Sequence, residues 1–264
     1  MYLEPCSRAG GRAATDRARL RAVREELLAK RSAEIGGMFA RITPHYDLLN
    51  RILSLGRDVR WRREVADRVS RIAPGRALDI CTGTGDLALA LPASHPTYGS
   101  DFCLPMLVRA RDKATRSGRK LPVFAADALR MPIGDGALGV VTVAFGIRNF
   151  ENLEYGLREL ARVLRPGGTL LALEFSRPRG PLAPLLGWWM RHVPARVGRL
   201  VSGDPEAYAY LTESAQSFPE GRELCGVLER VGMRPLEATS VTGGVATLYV
   251  AVKPRPTGDR EEEG

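Results

Sequence analysis

The sequence predicts an α/β three-layer sandwich on a mainly parallel sheet with an antiparallel C-terminal strand. Three observations carry this. Short apolar runs alternate with amphipathic stretches from residue 77 to residue 175, the rhythm of strand–helix–strand units. The first run passes directly into Gly83-Thr84-Gly85. Carboxylates close successive runs, at Asp79, Asp101 and Asp127, where parallel α/β sheets meet their ligands.

Taken in order, residues 1–14 are small, basic and Gly/Ala-rich and read as disordered. Thr15 to Arg31 reads as an amphipathic helix with Leu20, Val23 and Leu27 on one face, broken at Gly36-Gly37. This gives a basic extension over residues 1–36. Helical stretches follow at Met38–Ser54 and Val59–Ile72, the second stopped by Pro74-Gly75. Strands are expected at Ala77–Cys81, Thr97–Ser100, Pro122–Ala126, Leu138–Phe145 and Thr169–Phe175. Helices are expected at Leu87–Leu91, Met106–Arg116 and Leu153–Leu164, the last closed by Arg165-Pro166-Gly167-Gly168. The unbroken apolar run from Leu138 is the mark of a strand buried on both faces. Residues 177–215 interrupt the rhythm. A helix at Gly221–Val231 and an antiparallel pair, Pro235–Ser240 and Val245–Val252, complete a domain over residues 37–253, with a polar tail after it.

Composition narrows the class. At 264 residues, with 44% hydrophobic and 26% charged residues, the chain has the balance of a globular protein. No apolar run approaches the roughly 18 residues of a membrane span. Four scattered cysteines and three distant histidines do not have metal-ligand spacing, so no metal site is expected. The cysteines, with no export signal read at Met1–Gly11, read as reduced thiols in a cytoplasm. The net charge of +9 suits an anionic partner, nucleic acid or an acidic lipid surface. Because the basic residues are nearly all arginine, a GC-rich genome explains it equally well.

Gly83-Thr84-Gly85-Asp86-Leu87-Ala88 fits the dinucleotide pattern G-x-G-x-x-G/A. Asp79 argues against a dinucleotide, because a carboxylate just before the loop repels a pyrophosphate. It favours S-adenosylmethionine, which carries an ammonium and a sulfonium. Asp86 adds negative charge at the helix start. On this reading Asp79, Gly83, Thr84 and Gly85 hold the amino-acid end, Asp101 takes the ribose hydroxyls, and Asp127 with Ala128 meets the adenine.

Asp79 to Asp86 resembles the first motif of class I methyltransferases. Arg162 to Ser176 (Arg-Val-Leu-Arg-Pro-Gly-Gly-Thr-Leu-Leu-Ala-Leu-Glu-Phe-Ser) matches a signature of the demethylmenaquinone and polyprenyl-benzoquinol C-methyltransferase family without a departure. A second signature, Tyr-Asp-x-Met-Asn followed by Ser, His and Trp, reads here Tyr46-Asp47-Leu48-Leu49-Asn50, Ser54, Asp58 and Trp61. It departs at Leu49 and at Asp58. Ala144-Phe145-Gly146-Ile147-Arg148-Asn149 is similar to a third motif, with Ala144 in place of a serine near the cofactor. His192–Leu211 resembles the family's variable cap. The resemblance spans about residues 38–253.

It implies a class I methyltransferase fold, S-adenosylmethionine as cofactor, and methyl transfer to a ring carbon of a polyprenylated quinol, demethylmenaquinol ahead of a ubiquinone precursor. Such a ring is nucleophilic when its phenol ionises, so the site needs phenolate stabilisation and a route for the ring proton. Arg148 and Tyr46 are the candidates. Arg148 is too basic to be a free base, but can stabilise the phenolate or position a water. Tyr46 lies in a segment able to fold over the site.

From Phe175 to Gly203 there is no acid, and there are five arginines (177, 179, 191, 196, 199) beside a Leu/Trp-rich run. That suits a cap over an isoprenoid tail, or a patch that meets an anionic membrane from the cytoplasmic side. Nucleic acid is not expected, since aromatics are only 6% and no added binding domain is present. A methyltransferase of another small molecule or of RNA, and a cofactor-binding partner subunit without catalysis, remain open, as does a homodimer.

Overall fold

The computed structural model describes residues 35–201, 214 and 218–256. The expected Thr15–Arg31 helix, most of the extension, residues 202–213 and 215 of the cap and the tail from residue 257 lie outside them.

The first described element, α1, spans residues 35–42. Ile35, Met38, Phe39 and Ile42 fall on one buried face at helical spacing. The expected break at Gly36-Gly37 is therefore absent, since both glycines are helical. Their smallness serves packing instead: a Cβ on Gly36 would sit 2.9 Å from the Phe102 ring. Pro44 ends this helix in a short turn, Thr43–His45, so the single stretch expected over Met38–Ser54 is two helices. The second is α2, Tyr46–Leu53. Helix α3, Arg57–Val69, buries Trp61, Val65, Ala66 and Val69 on one stripe, and Asp58 and Arg62 with them.

Then comes the alternation: β1 Ala77–Ile80, α4 Asp86–Ala90, β2 Thr97–Asp101, α5 Leu104–Arg116, β3 Val123–Ala125, β4 Leu138–Ala144, α6 Leu153–Val163 and β5 Leu164–Phe175. The sheet order is β3-β2-β1-β4-β5-β7-β6, with β6 at Arg234–Val241 and β7 at Ala246–Val252. All pairs from β3 to β5 are parallel. β7 inserts antiparallel between β5 and β6. Helix α7 spans Ala183–Val201 and α8 spans Arg222–Arg230.

Side chains alternate between two cores. Leu78, Ile80, Val141, Val143, Leu170 and Ala172 meet Leu157 and Leu160 of α6 and Leu224 and Leu228 of α8. Ala77, Val140, Leu171 and Leu173 meet Trp61 and Val65 of α3 and Leu87 of α4. Both faces are covered, which is why these strands read as continuous apolar runs. One expectation is corrected here. Arg165 to Gly168 does not close a helix ahead of the strand. It belongs to β5, as an irregularity between the Leu138–Leu164 and Val140–Thr169 pairings, with Gly167 donating to the Lys253 carbonyl at 2.8 Å.

Strand order reverses between β1 and β4. That places a crevice beyond the carboxyl ends of these two strands, the usual ligand position in an open α/β sheet.

Candidate active site

Two residues at the crevice hold left-handed backbone without being glycine: Cys81 after β1 (φ 51°) and Phe145 after β4 (φ 60°). Such strain costs of order 1–3 kcal/mol and gathers at functional sites.

On the β1 side, Asp79 is buried, at 1% exposure. One carboxylate oxygen accepts from Thr142 Oγ1 at 2.7 Å and the other from Thr82 Oγ1 at 2.7 Å. Register explains the first bond, because Asp79 stands opposite Thr142 in the β1–β4 ladder. Burial raises its pKa to about 6, and the two hydroxyls only partly offset that. Gly83 donates its N–H to Asp101 Oδ2 at 2.9 Å, and Cys103 donates to Asp101 Oδ1 at 2.9 Å. Asp101 is thereby fixed against the glycine loop. Burial raises its pKa despite these donors. Gly85 leads into α4 with φ 84°, a conformation that favours glycine.

Thr84 is buried at 2%. It donates to Asp47 Oδ1 at 2.6 Å and accepts from Lys113 Nζ at 2.9 Å. Lys113 also pairs with Asp47 and Asp86 at 2.7 and 2.6 Å. This clasp ties α2 to the loop and gives Asp86 a partner that sequence reading did not supply.

A pocket gathers Asp101, Phe102, Asp127, Ala128 and Leu129 with Ile80 and Cys81. Asp127 is exposed and accepts from the Leu129 N–H at 2.9 Å. Asp101, Asp127 and Ala128 thus line one pocket. Ala144 does not line this pocket; it packs into the core beside Trp61 and Phe145. The residues fit S-adenosylmethionine: an anchored carboxylate for a diol, apolar walls for a flat base, and further acids beside the loop.

On the β4 side, Arg148 and Glu174 form a buried pair, their side chains 4% and 0% exposed and 2.6 Å apart. Arg148 Nη1 also donates to the Phe145 carbonyl at 2.6 Å. Its Nε is buried and reaches no acceptor among the described residues. The guanidinium lies 5.2 Å from the Phe175 ring centre, and Phe175 packs on Phe145 at 4.4 Å, with Trp61 on Phe145 at 5.9 Å. Tyr46 lies over the glycine loop, so that a Cβ on Gly83 would be 3.8 Å from its ring. Burial raises its pKa; a hydrogen bond with Asn50 and the charges of Arg62 and Arg148 pull the other way. The charge of Arg148 thus reaches Tyr46. Glu174 stands in the matched signature, where nothing in the sequence points to its partner; only strand pairing reveals it.

The Leu/Trp-rich run splits in two. Trp189 donates to the Leu53 carbonyl at 3.2 Å, and Leu186 and Met190 pack on the core. Leu182, Leu185 and Trp188 stand exposed, as do Leu48, Ile52 and Leu55 at the neighbouring α2. Arg177 and Arg179 pair with Glu220, so two of the five arginines are partly neutralised.

The sequence profile of the ubiE/COQ5 methyltransferase family matches residues 27–253. A demethylmenaquinone methyltransferase of Thermus thermophilus is 44% identical over 221 residues, 82% of this chain and all of that one. A ubiquinone/menaquinone biosynthesis C-methyltransferase of Syntrophotalea carbinolica is 40% identical over 223 residues, 83% of this chain and 94% of that one. Among solved structures, a SAM-dependent methyltransferase of Thermotoga maritima, described as a possible histamine N-methyltransferase, superposes with a TM-score of 0.59. It covers 83% of this chain and 99% of its own at 17% identity, which speaks to the fold alone.

Proposed function

The chain belongs to the ubiE/COQ5 methyltransferase family and is a S-adenosylmethionine-dependent C-methyltransferase of quinone biosynthesis; from that premise we propose demethylmenaquinol as its substrate. The observation that carries the reading is Arg148. Its guanidinium is buried, aimed by Glu174, and set beside an aromatic wall of Phe175, Phe145 and Trp61. A flat hydroquinone suits such a wall, and a guanidinium at its edge suits an ionised oxygen.

The cofactor, when bound, supplies an electrophilic methyl on sulfonium. Asp101 holds the ribose diol, while Asp127 and Ala128 orient the adenine. Asp79, Gly83, Thr84 and Gly85 shape the amino-acid end. Arg148 stabilises the phenolate, which places electron density on the ortho carbon. Tyr46 keeps its proton and donates to the quinol oxygen or to the water that takes the ring proton. Bound S-adenosylmethionine would supply the methyl group with a thioether as leaving group, and the ring C–H proton would pass to the water that Tyr46 holds.

Among the described residues no helix is long and apolar enough to cross a membrane. The apolar face of α2 and α7, flanked by exposed Arg57 and Arg191, is proposed to meet an anionic membrane surface reversibly. Trp188→Ala should reduce sedimentation with anionic vesicles at low salt and leave turnover on a short-tailed quinol unchanged. A folded wild type that never sediments refutes the membrane contact alone.

Mass-spectrometric quinone profiling of a deletion strain tests the substrate. Accumulated demethylmenaquinone supports the reading. Accumulation of a methoxy-polyprenyl-benzoquinone instead would move the assignment to the ubiquinone branch.

A further inference from the structure

Arg62 of α3 is a second buried guanidinium, 8% exposed, and nothing assigned so far uses it. Its Nη1 donates to Asp58 Oδ2 at 2.5 Å, one helical turn earlier. Asp58 also accepts from Ser54 Oγ at 2.9 Å and from Arg51 Nη1 at 2.7 Å. Burial pushes Asp58 up, but Arg62, Ser54 and Arg51 bring its carboxyl below the usual value. It is therefore a fixed anion that aims Arg62. The guanidinium faces the Phe145 ring at 5.9 Å, and its charge partly offsets the burial that raises the pKa values of Asp79 and Tyr46. That places it at the ends of β1 and β4, on the glycine-loop side of the crevice. Of the five N–H donors of an arginine, one is spent, on Asp58; no other acceptor among the described residues takes a hydrogen bond from it.

The methyl donor brings a carboxylate as well as an ammonium to the loop. Asp79 repels that carboxylate. Lys113 is committed to Asp47, Asp86 and Thr84. Arg148 is held at the other side by Glu174. We propose that Arg62, held by Asp58, binds the α-carboxylate of the methyl donor. A guanidinium meets a carboxylate with two parallel hydrogen bonds, so the aim given by Asp58 matters as much as the charge. The proposal rests on the methyltransferase reading. It also gives Asp58, one of the two positions that depart from the family signature, a positioning role: the carboxylate here fixes a cation on its own helix.

Calorimetry with two ligands tests it. S-adenosylhomocysteine keeps the amino-acid end, and 5′-methylthioadenosine lacks it. Arg62→Met should weaken the first by about 30-fold or more, in the range of a hydrogen bond to a charged group, and leave the second nearly unchanged. Arg62→Lys should fall between, as a point charge without the fork. Asp58→Asn should weaken S-adenosylhomocysteine by a smaller factor, again sparing the truncated ligand. Equal loss for both ligands, or loss for neither, overturns the proposal. If Arg62→Met does not fold, Arg62→Lys decides: an unchanged ratio of the two affinities overturns it. A raised KM for the quinol with S-adenosylhomocysteine affinity intact also overturns it and moves Arg62 to the substrate. A wild type that binds neither ligand sinks the cofactor reading itself, and this assignment with it.

Discussion

Arg148 and Glu174 stand 26 residues apart and meet because β4 and β5 are parallel neighbours. Arg62 and Asp58 stand one turn apart on a single helix. Both pairs put a buried guanidinium beside Phe145, one on its carbonyl and one on its ring. The first pair is almost wholly buried, its side chains 4% and 0% exposed, and Glu174 lies inside the signature that matches without departure. The helix-borne pair shares its carboxylate with Arg51, which is 41% exposed, and Asp58 is a departure. A pair fixed by sheet register cannot be rebuilt locally. A pair on one helix can be, because a change at one position needs an answer only one turn away.

The largest expected effect separates the two pairs. Glu174→Gln leaves a buried charge without its partner and should cost about 3–5 kcal/mol. Asp58→Asn should cost roughly 1.5–3 kcal/mol, since the end of the cluster at Arg51 remains hydrated. Urea unfolding of both variants checks the ranking, and equal losses would erase the contrast.

Next comes chemistry. Arg148→Ala should lower turnover at least about 10²-fold, the scale of an oxyanion contact, with S-adenosylhomocysteine affinity nearly kept. Turnover within a few-fold of wild type would make Arg148 structural.

Asp79 offers a pH test on the shared floor of the site. Its folded pKa of about 6 lies above the ordinary carboxylate value. Between roughly pH 4 and 6 the fold binds the proton that the unfolded chain releases, so this group's contribution falls as pH rises through that window. Asp79→Asn removes the effect. Measured without ligand, the variant should gain about 2–3 kcal/mol on wild type between pH 4 and pH 7. A flat difference would mean that Asp79 ionises at its ordinary pKa.

The smallest effect belongs to the cofactor side. Asp101→Ala should weaken S-adenosylmethionine binding by roughly 1.5–3 kcal/mol, visible by calorimetry, with turnover at saturating cofactor much less affected than in Arg148→Ala. Unchanged affinity would remove Asp101 from the ribose.

The chain by itself determined the strands, the glycine loop and the acids at the strand ends. Each of these is a local pattern: apolar runs buried on both faces, a tight turn, a carboxylate where a strand stops. It also determined the family, through motifs contiguous in sequence. Tertiary structure alone decided which charges meet. Glu174 finds Arg148 through strand adjacency, Lys113 finds Asp47 and Asp86 across three elements, and Asp79 finds Thr142 through register. It also overruled Gly36-Gly37 as a break, because the ring of Phe102, far along the chain, needs that space. The physical reason is the same in each case. Periodicity is written in neighbours a few residues apart, whereas an ion pair or a close approach depends on register and packing between segments that no single stretch encodes.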